Sequence, residues 1–234
     1  MSSRNSTPIF VKAVPSNGGG CLTRHLLPPL AVVCASALGM IFMLGSTNPA
    51  KSAENPDQAF VNQTRAGQQV VSPVFTLEVQ YWAGRIQKWA AAVGLDPNLV
   101  ATVMQIESCG DPRALSRSGA MGLFQVMPYH FTSYDDPYNP DTNALRGLDY
   151  LRRSLESAHA DPRLALVGYN GGIGVIGRPE GEWKAQTQRY AYWGSGIYAD
   201  ASSGADGSHR LQEWLAANGA ALCRQAYMRL GINP

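Results

Sequence analysis

The chain has 234 residues, 45% of them hydrophobic and 15% charged, which allows one sizeable core with appendages and excludes a largely disordered protein. The net charge of +2 belongs to one end: residues 1–50 hold three bases (Arg4, Lys12, Arg24) and no acid, and the remainder holds 16 bases against 17 acids. No basic stripe is left to argue for nucleic acid as a partner.

Taken in chain order, the first element is apolar. No side chain from Leu26 to Gly45 is charged, bases precede the segment, and the first acid after it is Glu54. Pro28 and Pro29 would start the continuous apolar helix near Leu30, and Leu44 would end it. This polarity predicts a cytoplasmic tail over 1–25 and a membrane-spanning segment over 26–45, with the main body outside the cytoplasm. The alternative is a secretory signal cleaved after Ser52, where Ala50 and Ser52 are small but Lys51 stands between them. Val33 before Cys34 argues against a lipoprotein signal.

Residues 46–74, rich in Ser, Asn, Gln, Pro and Gly, read as a flexible linker. Helical periodicity then dominates. Trp82, Ile86, Trp89, Ala90 and Val93 share a face, with Gly94 as terminator. Asp96-Pro97 starts a second helix carrying Val100, Val103, Met104 and Glu107. Leu145, Leu148, Leu151 and Leu155 mark a third, with Asp141 as the expected cap, and Asp161-Pro162 starts a fourth. Trp183, Gln186, Tyr190 and Trp193 predict a fifth, and two short helical patterns end the chain. No stretch alternates with a period of two, so the fold class is mainly α. The expected domain covers 75–200, with a helical extension over 201–234 packed on it. Only Cys109 and Cys223 fall in the exported part. In an oxidising compartment they predict a disulfide, worth on the order of 4–5 kcal/mol at most for so long a loop; two buried free thiols are the alternative.

Glu107 is the unusual residue. A carboxylate on a core-facing stripe at a helix C-terminus is costly to ionise, which predicts a raised pKa and a group able to donate a proton. An ion pair with Arg113 or Arg117 would instead make it structural. Two further segments mix glycines, amides and aromatics in the way a sugar site needs: Gly119-Ala120-Met121-Gly122-Leu123-Phe124-Gln125-Val126-Met127-Pro128 and Gly168-Tyr169-Asn170-Gly171-Gly172. Helix capping and backbone satisfaction explain either of them equally well when taken alone.

As an ordered set, Glu107-Ser108, Ser118 to Pro128, and Gly168 to Gly172 resemble the three motifs of the soluble lytic transglycosylase family. Asn139-Pro140-x-x-Asn143 with Gly147-x-x-Tyr150-Leu151 resembles its intervening helix, and Gln186 to Tyr190 a weaker fourth element. Three positions depart from the family pattern: Phe124 stands where Met is usual, Gly168 where Ala is, and Gln186 where Glu is. The resemblance covers residues 97–192 and implies a lysozyme-like helical domain. It implies Glu107 as the sole acid/base, Ser108 near the substrate acetamido group, and Met121 and Gln125 along the cleft. Tyr169 and Asn170 would position Glu107 and the sugar, and Tyr190 would close the site. The implied substrate is peptidoglycan, cut between N-acetylmuramic acid and N-acetylglucosamine with a 1,6-anhydro product. The implied enzyme is a monomer with no cofactor and no metal. A lysozyme-type hydrolase and a membrane-tethered, non-catalytic wall-binding module are the other readings.

Overall fold

A computed structural model describes residues 70–232. The expected tail, the membrane or signal segment at 26–45 and most of the linker lie outside the described residues. Among the described residues no helix is long and apolar enough to cross a membrane. They also form no β-sheet, only isolated bridges joining Met121 to Leu115 and to Val126, so the mainly α expectation holds.

Eight helices are described: α1 (Leu77–Gln80), α2 (Ala83–Val93), α3 (Pro97–Glu107), α4 (Pro140–Ser157), α5 (Pro162–Gly171), α6 (Ala185–Ser202), α7 (His209–Trp214) and α8 (Ala220–Leu230). The Asp-Pro and Asn-Pro pairs set three of their starts. Proline fixes the first helical φ and holds the residue before it extended, leaving that side chain free to cap. Asp96 accepts from the Asn98 N–H at 2.7 Å and Asp161 from the Leu164 N–H at 3.0 Å. In α4 the cap is Asn139, which accepts from Asp141 and Thr142. This corrects the expectation for Asp141: Pro140 occupies the first helical position, so Asp141 lies inside the helix and faces outward. There it binds the Arg85 guanidinium at 2.8 Å and the Trp89 indole N–H at 2.9 Å. Trp183 is a second correction. It precedes α6, in a turn that buries it and directs its indole N–H to the Arg178 carbonyl.

The helices close a ring. α2 packs on α3 and α4, α4 on α5, α5 on α6, and α6 back on α3. Helix α3 is the most buried member of that ring, with Leu99 through Gln105 buried without interruption, as a helix covered on most of its faces requires. Each fully buried Val, Leu or Met contributes about 1.5–3 kcal/mol relative to exposure. Val71 and Val74, which the sequence assigned to the linker, are also buried in this core.

Two packing details tie the extension and α5 to the ring. Cys109, just past the end of α3, is bonded to Cys223 in α8, so the disulfide expectation holds. Buried Gln105 donates to both sulfurs, and its Oε1 accepts from the Thr76 N–H. Fully buried Asp111 accepts from the Gln225 amide at 2.7 Å and pairs with Arg229 at 3.4 Å, fastening α8 a second time. On α5, Gly168 lies against α4 so closely that an added Cβ would be 2.2 Å from the Ser154 hydroxyl and 2.6 Å from Ile176. That explains why glycine replaces the family's alanine here: Ser154 fills the space and donates to the Ala165 carbonyl.

Reducing the disulfide, or replacing Cys223 by Ser, should cost about 2–5 kcal/mol and lower Tm by roughly 5–15 °C; an unchanged melting curve would show that the loop closure contributes nothing. Gly168→Ala alone should destabilise by about 1–3 kcal/mol through overpacking, and adding Ser154→Ala should recover most of it. Chemical denaturation of the two variants measures both terms.

Candidate active site

Helix α3 delivers Glu107 to the floor of a cavity of about 370 Å³ that opens between the Ser116–His130 segment, α4 and the end of α5. The turn after the helix is locked from several sides. Ser108 leaves the helix with φ −141° and ψ −7°, neither helical nor extended, and Cys109 follows with φ 49°, a left-handed geometry that non-glycine residues adopt rarely. The Ser108 hydroxyl donates to the Leu123 carbonyl at 2.6 Å and accepts from the Gly110 N–H at 3.1 Å. The Trp82 indole N–H donates to the Gly110 carbonyl at 2.9 Å. Glu107 therefore cannot swing away with a fraying helix end.

The opposite wall is held by one buried amide. Asn143 on α4 accepts from the Phe124 N–H and donates to the carbonyls of Met121 and Pro137, all within 2.9 Å. Gln125 follows with φ 45°. Its Nε2 donates to the carbonyls of Ala114 and Gly122, so Oε1 is the atom it can offer to a ligand. The Tyr169 hydroxyl donates to the Phe124 carbonyl at 2.7 Å, which joins α5 to the same wall. The Asn170 Oδ1 accepts from Thr187, leaving its amide N–H groups free beside Glu107.

Electrostatics follow from this packing. Burial pushes the Glu107 carboxyl up to about 8, and the nearby Tyr190 hydroxyl offsets a smaller part of that rise. Glu107 forms no salt bridge among the described residues, so the ion pair with Arg113 or Arg117 is not made. The hydroxyls of Tyr169 and Tyr190 are raised well above the usual phenol range, first by burial and then by the Glu107 charge, so both stay neutral. The Tyr190 hydroxyl faces the carboxyl closely enough to feel its charge, yet it is buried without a partner at hydrogen-bond distance and geometry.

The expected site residues fall into two groups. Glu107, Gln125, Tyr169 and Asn170 line the cavity together. Tyr190 meets Glu107 and Asn170 in an adjoining pocket of about 260 Å³. Ser108 and Met121 do not come to the cavity. Ser108 is fully buried with its hydroxyl donating to the Leu123 carbonyl, so its side chain lies behind the cavity wall. Met121 supplies only backbone, in the bridge to Val126 and the carbonyl bound by Asn143, and Met127 lines the cavity in its stead. The sequence also gave no role to Tyr129, His130 and Tyr150. Their rings continue from Tyr169 toward solvent at centroid separations of 5.8, 4.9 and 4.5 Å. Burial, then the Arg153 charge, lowers the His130 pKa against the opposing Asp149, which keeps the imidazole neutral near pH 7. A neutral row of aromatic faces suits the C–H faces of pyranose rings. Tyr150 and Gln186 stood inside motifs visible in the sequence, whereas nothing in the local pattern marked Tyr129 or His130.

No second acid lines the cavity among the described residues. Asp111 binds Gln225 and Arg229, Asp135 binds Arg146, Asp141 binds Arg85, and Asp149 binds Arg152 and Arg153. Asp136 accepts from the Tyr138 N–H in a turn.

Residues 84–192, which span every residue of this cavity, match the family described as Transglycosylase SLT domain. The chain is 38% identical over 116 residues to a transglycosylase of Enterobacteria phage PRD1, covering 46% of this chain and 42% of the phage protein. It is 33% identical over 117 residues to endo-type membrane-bound lytic murein transglycosylase A of two Klebsiella pneumoniae strains, ATCC 700721 / MGH 78578 and 342. Those matches cover 41% of this chain and 57% of each Klebsiella protein. The chain thus spans between two fifths and three fifths of the length of these curated relatives. By motif order, helical architecture and these matches, residues 84–192 are similar to the transglycosylase SLT domain.

Proposed function

We propose that this chain is a peptidoglycan lytic transglycosylase in which Glu107 is the single acid/base. The observation that carries the reading is a solitary carboxyl, raised to about 8, in a cavity lined otherwise by neutral amides, hydroxyls and aromatic rings. Glycosidases that hydrolyse through two carboxylates need the second within about 5–9.5 Å of the first. Here the nearby aspartates are committed to arginines, amides and backbone. One acid suffices when the substrate supplies its own nucleophile.

The steps balance without water. Protonated Glu107 gives its proton to the oxygen linking N-acetylmuramic acid to N-acetylglucosamine, and the C1–O bond breaks while the muramyl acetamido group assists at C1. The resulting Glu107 carboxylate takes the proton of the muramyl 6-hydroxyl as O6 bonds to C1. The product carries a 1,6-anhydro ring and Glu107 returns protonated. Asn170 and the Gln125 Oε1 are placed to hold the sugar, Tyr169 braces the Gln125 wall, and Tyr190 is placed to donate to the carboxylate once it forms. A buried hydroxyl without a partner in the resting state meets one at that moment.

The reading places the enzyme outside the cytoplasm, where the Cys109–Cys223 bond persists, with residues 26–45 as its membrane anchor. The names of the Klebsiella relatives, membrane-bound and murein-directed, favour the same setting.

Glu107→Gln should leave the far-ultraviolet circular dichroism unchanged and lower strand cleavage by at least 10²–10⁴-fold; near-normal activity in this variant removes Glu107 from the mechanism. Mass spectrometry should find product ends lighter by one water than reducing ends, and reducing ends throughout would make the enzyme a hydrolase. The pH dependence has a definite sign. Because free Glu107 must be protonated, kcat/KM should fall as pH rises through about 8. Folding obeys the same linkage. A carboxyl raised from 4.5 to about 8 binds more protons folded than unfolded, so stability is lost as pH rises through that window. Glu107→Gln should accordingly be more stable than wild type at pH 8 and gain less at pH 4.5, by Tm.

A further inference from the structure

A row of adjoining pockets leads from the Glu107 cavity to the C-terminal extension, beyond the residues that match the family. The small pocket at Tyr190 shares Glu107, Asn170 and Gln186 with the main cavity. On its other side it shares Ile106, Arg189 and Trp193 with a more open groove of about 700 Å³. The far wall of that groove is Trp214, Asn218, Gly219 and Leu222. The three pockets therefore lie in a row from the acid to the extension, each sharing wall residues with the next.

The extension is shaped to form that wall. Between α7 and α8 the chain widens over Leu215–Gly219 and kinks at Asn218, whose φ of 123° is strained for any residue but glycine. Gly219 lies flat on Trp214, where an added Cβ would be 2.4 Å from the ring. Such a widened turn interrupts a regular helix at a cost and recurs at functional sites. The disulfide and the Asp111 contacts to Gln225 and Arg229 hold the kinked segment in place.

Charge and polarity indicate the occupant. Arg189 is exposed and has no acidic partner among the described residues, and no acid lines the open groove. The main cavity contains no lysine or arginine, as a neutral sugar chain would require. Peptidoglycan has the matching form: a neutral glycan that carries, on the muramyl lactyl group, a short peptide with free carboxylates. The branch leaves the sugar whose bond is cut, and the open groove begins one small pocket away from the acid that would cut it.

We infer that the groove between Arg189–Trp193 and the Trp214–Leu222 turn is a subsite for the acidic stem peptide, so that the C-terminal extension selects peptide-bearing strands. The inference rests on the lytic reading above, and its test separates the two. The Glu107→Gln protein is titrated by calorimetry with a tetrasaccharide of glycan repeats carrying its stem peptides, and with the same tetrasaccharide after an amidase has removed them. The peptide-bearing ligand should bind at least tenfold more tightly. Arg189→Gln, which removes the unpaired cation, and Ala217→Trp, which fills the groove, should each reduce that ratio at least fivefold without lowering Tm. Equal binding of the two ligands, or variants that weaken both alike, would overturn the peptide assignment and leave a groove for sugars or none at all. Wild-type protein is assayed for strand cleavage in parallel: cleavage without peptide preference overturns the subsite alone, and absence of cleavage overturns the lytic reading, whichever way the titrations fall.

Discussion

The arrangement depends on one costly placement, a carboxyl at the end of the most buried helix of the fold. An ionised carboxylate taken out of water and given no cation is strongly disfavoured. Glu107 is given none, and burial keeps it protonated up to about pH 8. The C-terminus of α3 adds partial negative charge in the same direction. The ring of helices can hold such a group because the buried length of α3 supplies apolar packing on most of its faces. On the proposed function, what the site loses in folding stability near neutral pH is what fits Glu107 to donate a proton.

Keeping the carboxyl in position engages side chains that would not themselves touch a substrate. Ser108, Trp82 and the disulfide fix the turn after α3. Asn143 fixes the wall that carries Gln125, and Tyr169 ties that wall to α5. These contacts make the C-terminal extension part of the same unit. Cys109 lies two residues from Glu107, and its partner Cys223 lies in α8, so the acid and the kinked turn that walls the neighbouring groove are positioned through one covalent link.

Much of this was legible in the sequence. Asp-Pro and Asn-Pro pairs marked helix starts because proline fixes a backbone angle locally, and the stripe from Val100 to Glu107 placed the acid on a core face before any contact was known. The pairing of Cys109 with Cys223 followed from there being only two cysteines after the apolar segment. What was not legible depended on rotation about single residues. Ser108 follows Glu107 in sequence, but the turn after α3 directs its hydroxyl into the core. Met121 and Met127 are equivalent in chemistry, and only the bridge from Met121 to Val126 decides which one reaches the cavity. The aromatic row from Tyr129 to Tyr169 joins three separate segments, so no local periodicity could show it. The groove beyond Tyr190 depends on a strained Asn218, whose positive φ no side-chain pattern announces.

The central claim is that Glu107 stands protonated at neutral pH because it is buried alone. Its carboxyl carbon can be followed directly by nuclear magnetic resonance in protein labelled with ¹³C at the glutamate side chains, with the signal assigned by its loss in Glu107→Gln. The account predicts a midpoint near 8, well apart from the remaining glutamates; a midpoint near the ordinary 4.5 would contradict it.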